Sequence, residues 1–151
     1  MKHFELNISD FKPIGNYSIE KVSKNNWNSE YRNDIKKLIN LFNTEYKWDG
    51  MFDINSVDAR MNSNETVFIL YYNNISVGYV FFKELDNDNV YAYNSYVTKK
   101  ENRTDDAYMI LMSRSCEEMF KKYKTIISDV DDWHKRVIEI ITKIGYVPKQ
   151  K

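Results

Sequence analysis

Residues 91–147, YAYNSYVTKKENRTDDAYMILMSRSCEEMFKKYKTIISDVDDWHKRVIEIITKIGYV, decide the fold. A strand rich in β-formers covers 90–98 and is followed by a short polar loop. A helix then places Met109, Met112, Cys116, Met119 or Phe120, and Tyr123 on one stripe. Residues 124–130 contain Thr125, Ile126 and Ile127 and read as a short strand. Asp131 and Asp132 cap a last helix that turns Trp133, Val137, Ile140 or Ile141, and Ile144 toward a core. Gly145 is placed to end that helix in a left-handed conformation. Strand, helix, strand, helix at this spacing is a βαβ crossover with one more helix.

Upstream, residues 66–72 and 75–85 are two strands joined at Asn73-Asn74, a tight hairpin signal. Asp86 to Asn89 is a second turn into the strand at 90–98, so the three strands form an antiparallel meander. Before them, Tyr31, Ile35, Leu38, Phe42 and Tyr46 recur at four, three, four and four, one face of an amphipathic helix. Asn28-Ser29 supplies its caps and Asp49-Gly50 its stop. Residues 54–61 form a shorter helix, and 17–22 alternate loosely as a first strand. Phe4 to Ile8 is a short extended arm, set off by the Pro13-Ile14-Gly15-Asn16 turn. This gives an N-terminal arm at 1–16 and a single domain at 17–151. The fold class is α+β, a mixed sheet of a meander plus a crossover with helices on both faces.

Composition narrows the function classes. Lys+Arg and Asp+Glu balance at 22 each, so no global field draws in nucleic acid or acidic membrane. The basic clusters Lys99-Lys100-Arg103 and Lys121-Lys122-Lys124 are small enough to be solvated faces. No apolar run marks a leader or a membrane span in the first ten residues. One cysteine, Cys116, makes no internal disulfide, which fits a cytoplasmic protein. Cys116 lies on an apolar stripe, as a core residue does. Two histidines and one cysteine leave no metal-ligand spacing, and no Gly-x-Ser-x-Gly elbow occurs. The 12 tyrosines exceed what a core needs and suit protein interfaces.

The order of elements across 17–147, most specifically from Tyr91 to the Gly145-Tyr146 pair, resembles the GNAT superfamily of N-acetyltransferases. The resemblance implies an acyl-coenzyme-A core in which the fourth strand splays from the fifth. The pantetheine arm would lie in that gap on the main chain of Tyr96 and Val97. The competing reading is a plain strand end with Val97 in the core. The family's pyrophosphate motif, Arg/Gln-x-x-Gly-x-Gly/Ala, opens the third helix. Its physics is an anion on bare helix N–H groups, approached closely because of the glycines.

Residues 99–107 contain no glycine. With Arg103 first, Asp106 replaces the glycine and Tyr108 the Gly/Ala. With Asn102 first, these positions fall to Asp105 and Ala107. Either way a carboxylate stands where phosphate should approach. At about 5 Å and an effective dielectric of about 20 the repulsion is roughly 3 kcal/mol. The helix dipole returns about 0.3–1 kcal/mol. Acidic caps at a helix start that holds no anion explain both residues more simply.

Proton transfer in the family often uses a Tyr on the last helix, five residues before the aromatic of the Gly-Phe/Tyr pair. Here that position is Ile141, which has no proton to give. The Asn common near the start of that helix falls at His134, whose pKa suits acid–base work but which also reads as a surface or capping residue. Glu84, at the end of the strand before the one that carries Tyr93 and Asn94, is the other catalytic candidate. Its simpler reading is a solvated strand-end charge.

These features favour a catalytically degenerate GNAT-like module that binds protein, alone as an oligomer or as a subunit, with no cofactor. The chain stops where the family adds strands, so an edge near 146–151 is expected among the contacts. The alternative is an active acetyl-CoA-dependent N-acetyltransferase with a divergent loop. It would use Tyr96 and Val97 for pantetheine, and Arg103, Thr104 and Ala107 near phosphate.

Overall fold

In the computed structural model, the described residues are 17–46, 52–98, 105–129 and 135–147. In chain order they form β1 (Tyr17–Val22), α1 (Ser29–Tyr46), α2 (Ile54–Asn62), β2 (Thr66–Tyr72) and β3 (Ile75–Glu84). Then follow β4 (Asn89–Val97), α3 (Asp105–Phe120), β5 (Thr125–Ile127) and α4 (Lys135–Ile144). The arm at Phe4–Ile8, the turn at Pro13–Asn16, the stop at Asp49-Gly50, the caps Asp131-Asp132 and the last four residues of the expected edge lie outside the described residues.

The strands make one sheet in the order β1-β2-β3-β4-β5. The first three pairings are antiparallel and β4 pairs β5 in parallel, with α3 as the crossover. Asn73 and Asn74 both take positive φ, 49° and 66°, as a two-residue hairpin that follows the strand twist requires. Both faces of the sheet are covered. Hence β2 reads Val67, Phe68, Ile69, Leu70 without alternation, and all four are buried. Val67 and Ile69 pack with Val22, Ile35, Leu38 and Val57 under α1 and α2. Phe68 and Leu70 pack with Leu111, Met112, Cys116 and Ile141 under α3 and α4. Burying each such side chain contributes about 1.5–3 kcal/mol.

Local caps explain the helix starts. Asn28 Oδ1 accepts from Tyr31 N at 2.9 Å, and Asp53 Oδ1 accepts from Ser56 N at 2.8 Å. Arg32 clamps α1 to α2 through Asp58, with its Nη2 at 2.9 Å from Oδ2. The fifth strand is shorter than the sequence suggests, three residues at Thr125–Ile127. On α3, Met119 goes to the core and Phe120 is 54% exposed. Gly145 has φ 119°, and Tyr146 N donates to Ile141 O at 3.0 Å, which closes α4 as the sequence predicts.

Candidate functional site

The site is built on β4, and the two ends of that strand differ. Val90 and Tyr91 are held on both sides, by Glu84 and Lys83 of β3 and by Ile126 and Ile127 of β5, and Asn89 pairs Thr125 of β5. Beyond Tyr91 the pairing with β5 stops. Ser128, one residue past β5, reaches back with its Oγ to Ala92 O at 3.3 Å. From there to Val97 the β5 side of β4 has no strand partner among the described residues.

Within that second half sits a bulge. Phe81 pairs Tyr93 and Tyr79 pairs Tyr96, so Asn94 and Ser95 together stand opposite Val80. Asn94 takes φ 50°, a conformation that Asn tolerates better than most residues. Tyr79 Oη donates to its Oδ1 at 3.4 Å. The bulge resets the alternation: Tyr93 and Tyr96 both join the core under α1 and α2, although three positions apart. Val97 goes to the opposite core. Gly78 permits the arrangement, because a Cβ there would lie 2.8 Å from Tyr96 O. The alternating pattern of β4 in the sequence hides this reset, and an Asn inside a strand is its one local signal.

Hydroxyl groups gather along the parted side. Ser95 Oγ and Tyr108 Oη are 2.6 Å apart, joining the bulge to the first turn of α3. Tyr108 is only 8% exposed. Deeper in, Ser128 Oγ donates to Tyr146 Oη at 3.4 Å, and Tyr146 Oη lies 3.5 Å from Cys116 Sγ. Burial raises the Tyr146 phenol far above its ordinary pKa, with the neighbouring thiol adding to it. Burial likewise pushes the Cys116 thiol up to about 11, so it is a buried thiol and not a thiolate nucleophile.

The opposite face of β4 carries two carboxylate–tyrosine pairs. Tyr96 Oη donates to Glu45 Oε2 at 2.6 Å, and Tyr93 Oη donates to Glu65, itself 8% exposed. The Arg60 guanidinium lies over the Tyr93 and Phe52 rings at 4.9 and 4.8 Å. Burial, then the Glu65 hydrogen bond, raises the Tyr93 phenol.

The predicted site residues scatter. Tyr96, Val97 and Ala107 are buried around the parted end. Glu84 pairs with Val90 at the other end of the strand, roughly 20 Å away along six residues. It accepts from Tyr123 Oη and lies 3.5 Å from Lys122 Nζ. Those contacts hold its pKa below the ordinary value, the Tyr123 hydrogen bond most of all. Such a group is held ionised near neutral pH and tied to the connection between α3 and β5. Arg103, Thr104 and His134 lie outside the described residues. Ile141 is buried in the core under α3 and α4. Among the described residues no group of His, Cys, Asp and Glu could hold a metal ion, and no helix is long and apolar enough to cross a membrane.

Solved structures share this architecture. An aminoglycoside acetyltransferase, meta-AAC0020, from an uncultured soil metagenomic sample, crystallised with sisomicin, has a TM-score of 0.68 at 15% identity, with 89% of this chain and 91% of that one covered. The ribosomal-protein-alanine N-acetyltransferase of Brucella melitensis biovar Abortus 2308 gives 0.67 at 9% identity over 89% and 94%. The fold is that of the GNAT N-acetyltransferases. A third GNAT structure, aminoglycoside N-acetyltransferase AAC(6')-Iy in complex with CoA, gives 0.63 at 12% identity over 93% and 95%. No family model and no curated protein matches the sequence.

Against the GNAT pattern, the present residues fit a coenzyme A only in part. The main chain of β4 parts from β5 as a pantetheine arm requires. The side chains divide: one register of the phosphate motif keeps a small residue, Ala107, at the Gly/Ala, and the other sets Tyr108 there, which reaches across to Ser95.

Proposed function

We propose that this chain is a GNAT-fold module that does not transfer acetyl groups and acts by binding another protein. The observation that carries this reading is Ile141. It occupies the position from which the resemblance expects a proton donor, and it is packed among apolar side chains in the core under α3 and α4. Asp105 and Asp106 are the first residues of α3, so the sequence is acidic where the resemblance expects phosphate. A contact surface is supported by β4 and β5. The rings of Tyr91 and Tyr93 stack at 5.9 Å and are half-buried, and Ile127, in register with Tyr91, is 40% exposed. Aromatic and aliphatic groups side by side on a sheet suit a protein partner.

A second reading is favoured by the parting of β4 from β5 after Tyr91. In it the chain is an acetyl-CoA-dependent N-acetyltransferase with a divergent loop, as the solved enzymes of this fold suggest. Pantetheine would lie on the main chain of Tyr96 and Val97, with Arg103, Thr104 and Ala107 toward the phosphates.

Thermal melting of the full chain with millimolar acetyl-CoA separates the two. A ligand at a hundred times its Kd adds about 2.7 kcal/mol to the folded state, a shift of several degrees. The expected result is no shift, and a micromolar Kd would sink the binding-module reading.

A further inference from the structure

We infer that the parted end of β4 is a latent pantetheine slot held shut by Tyr108. The inference rests on the reading of the chain as a non-catalytic GNAT-fold module and names the side chain that closes it. Three observations meet at this point. The β4 backbone, bulged at Asn94 and Ser95, leaves β5 after Tyr91. The phenol of Tyr108, from the first turn of α3, crosses to Ser95 and bonds it at 2.6 Å. Tyr108 is 8% exposed, so its ring is part of the wall and not a surface flap.

Chemistry argues for closure and not for recognition. A pantetheine arm is an extended chain of two amides ending in a thiol, and it is bound by main-chain groups at close approach. On the facing helix turn the buried Tyr108 ring, bonded to Ser95, takes up the space beside β4 just before Tyr96 and Val97. The hydroxyl pair also gives Ser95 a protein partner in place of a ligand. Below this contact the gap is stitched again, by Ser128 Oγ on Ala92 O at 3.3 Å. The acids at the start of α3 oppose phosphates by charge, whereas Tyr108 opposes the arm by volume. The two obstacles are therefore separable with a ligand that lacks phosphates.

The probe is S-acetylpantetheine, titrated calorimetrically into the full-length protein and into Tyr108→Ala and Tyr108→Leu. The leucine variant keeps an apolar side chain in the wall and guards against loss of fold, which a melting curve checks for each protein. Either folded variant is expected to bind the probe at least tenfold more tightly than the native chain. Acetyl-CoA is expected to gain less than S-acetylpantetheine, because the charges at Asp105 and Asp106 remain. Equal affinity of native and variant chains for S-acetylpantetheine, or no binding by a folded variant, overturns the inference. Acetyl transfer by the native chain would instead overturn the non-catalytic reading, so the two failures are distinct.

Discussion

The two halves of β4 are built from similar residues and do different things. Val90 and Tyr91 lie in a regular sheet with a strand on each side. Asn94 to Val97 keep only β3 as a strand partner among the described residues, carry a residue at φ 50°, and put two residues opposite one. Regular pairing satisfies the backbone within the sheet. The bulged half takes a positive φ at Asn94 and turns its groups to partners outside the ladder. The difference teaches that once β4 parts from β5 its side chains find partners elsewhere, Ser95 on Tyr108 of α3 and Asn94 on Tyr79 of β3.

The sharpest way to break the bulged half is through its neighbour on β3. Gly78 faces Val97, and a Cβ would meet Tyr96 O at 2.8 Å and Val97 Cγ2 at 3.0 Å. The nearer contact is backbone and cannot swing aside. Gly78→Val should lower stability by about 1–3 kcal/mol, the range for overpacked sites. Urea titration reads this. A midpoint unchanged from the native protein would show that β4 yields freely at this end.

Asn94 tests the bulge itself, with a smaller effect. Its φ of 50° costs a β-branched residue about 1–2 kcal/mol and costs glycine almost nothing. Asn94→Val should therefore destabilise by about that amount, and Asn94→Gly should stay within a few tenths of a kcal/mol. Part of any loss in the glycine variant is the hydrogen bond from Tyr79. If valine and glycine behave alike in urea titration, the positive φ carries no strain and the bulge is not a stored cost.

How far the sequence disclosed each half follows from what each depends on. The hairpin at Asn73-Asn74, the boundaries of β2 and the closing Gly145 depend on neighbouring residues, and local chemistry announces them. The first half of β4 follows from simple alternation. The bulge depends on what stands opposite, a glycine on another strand, so the run from Tyr91 to Val97 reads as one uninterrupted strand. Likewise the sequence offers Tyr108 only as the residue at the Gly/Ala of the phosphate motif in one register. Its contact with Ser95 is formed only once α3 folds back over the sheet. Glu84 reads in the sequence as a solvated strand-end charge as well as a catalytic candidate, and the antiparallel register carries it to the end of β4 far from the bulge.

The last prediction concerns that far end, where Glu84 of β3, opposite Val90, is tied to the connection between α3 and β5. Tyr123 donates to its carboxylate, and Lys122 stands 3.5 Å away. Both favour the ionised form, and its pKa in the folded chain is held below the ordinary 4.5. The sign follows directly. Above about 4.5 the carboxylate is ionised in both states, and its contacts stabilise the folded one in full. As pH falls from there through the lower folded value, the unfolded chain takes up a proton first and the contribution disappears. The carboxylate side chain is 44% exposed, so this is the smallest of the effects and is weakened by salt. In Glu84→Gln the acid-dependent part is absent. Urea midpoints of the native chain and of the Glu84→Gln variant should therefore differ at about pH 7, with the native higher, and converge as the pH falls below the lowered folded pKa of Glu84. A gap that persists in acid would mean that Glu84 supports the regular half by packing and not by charge.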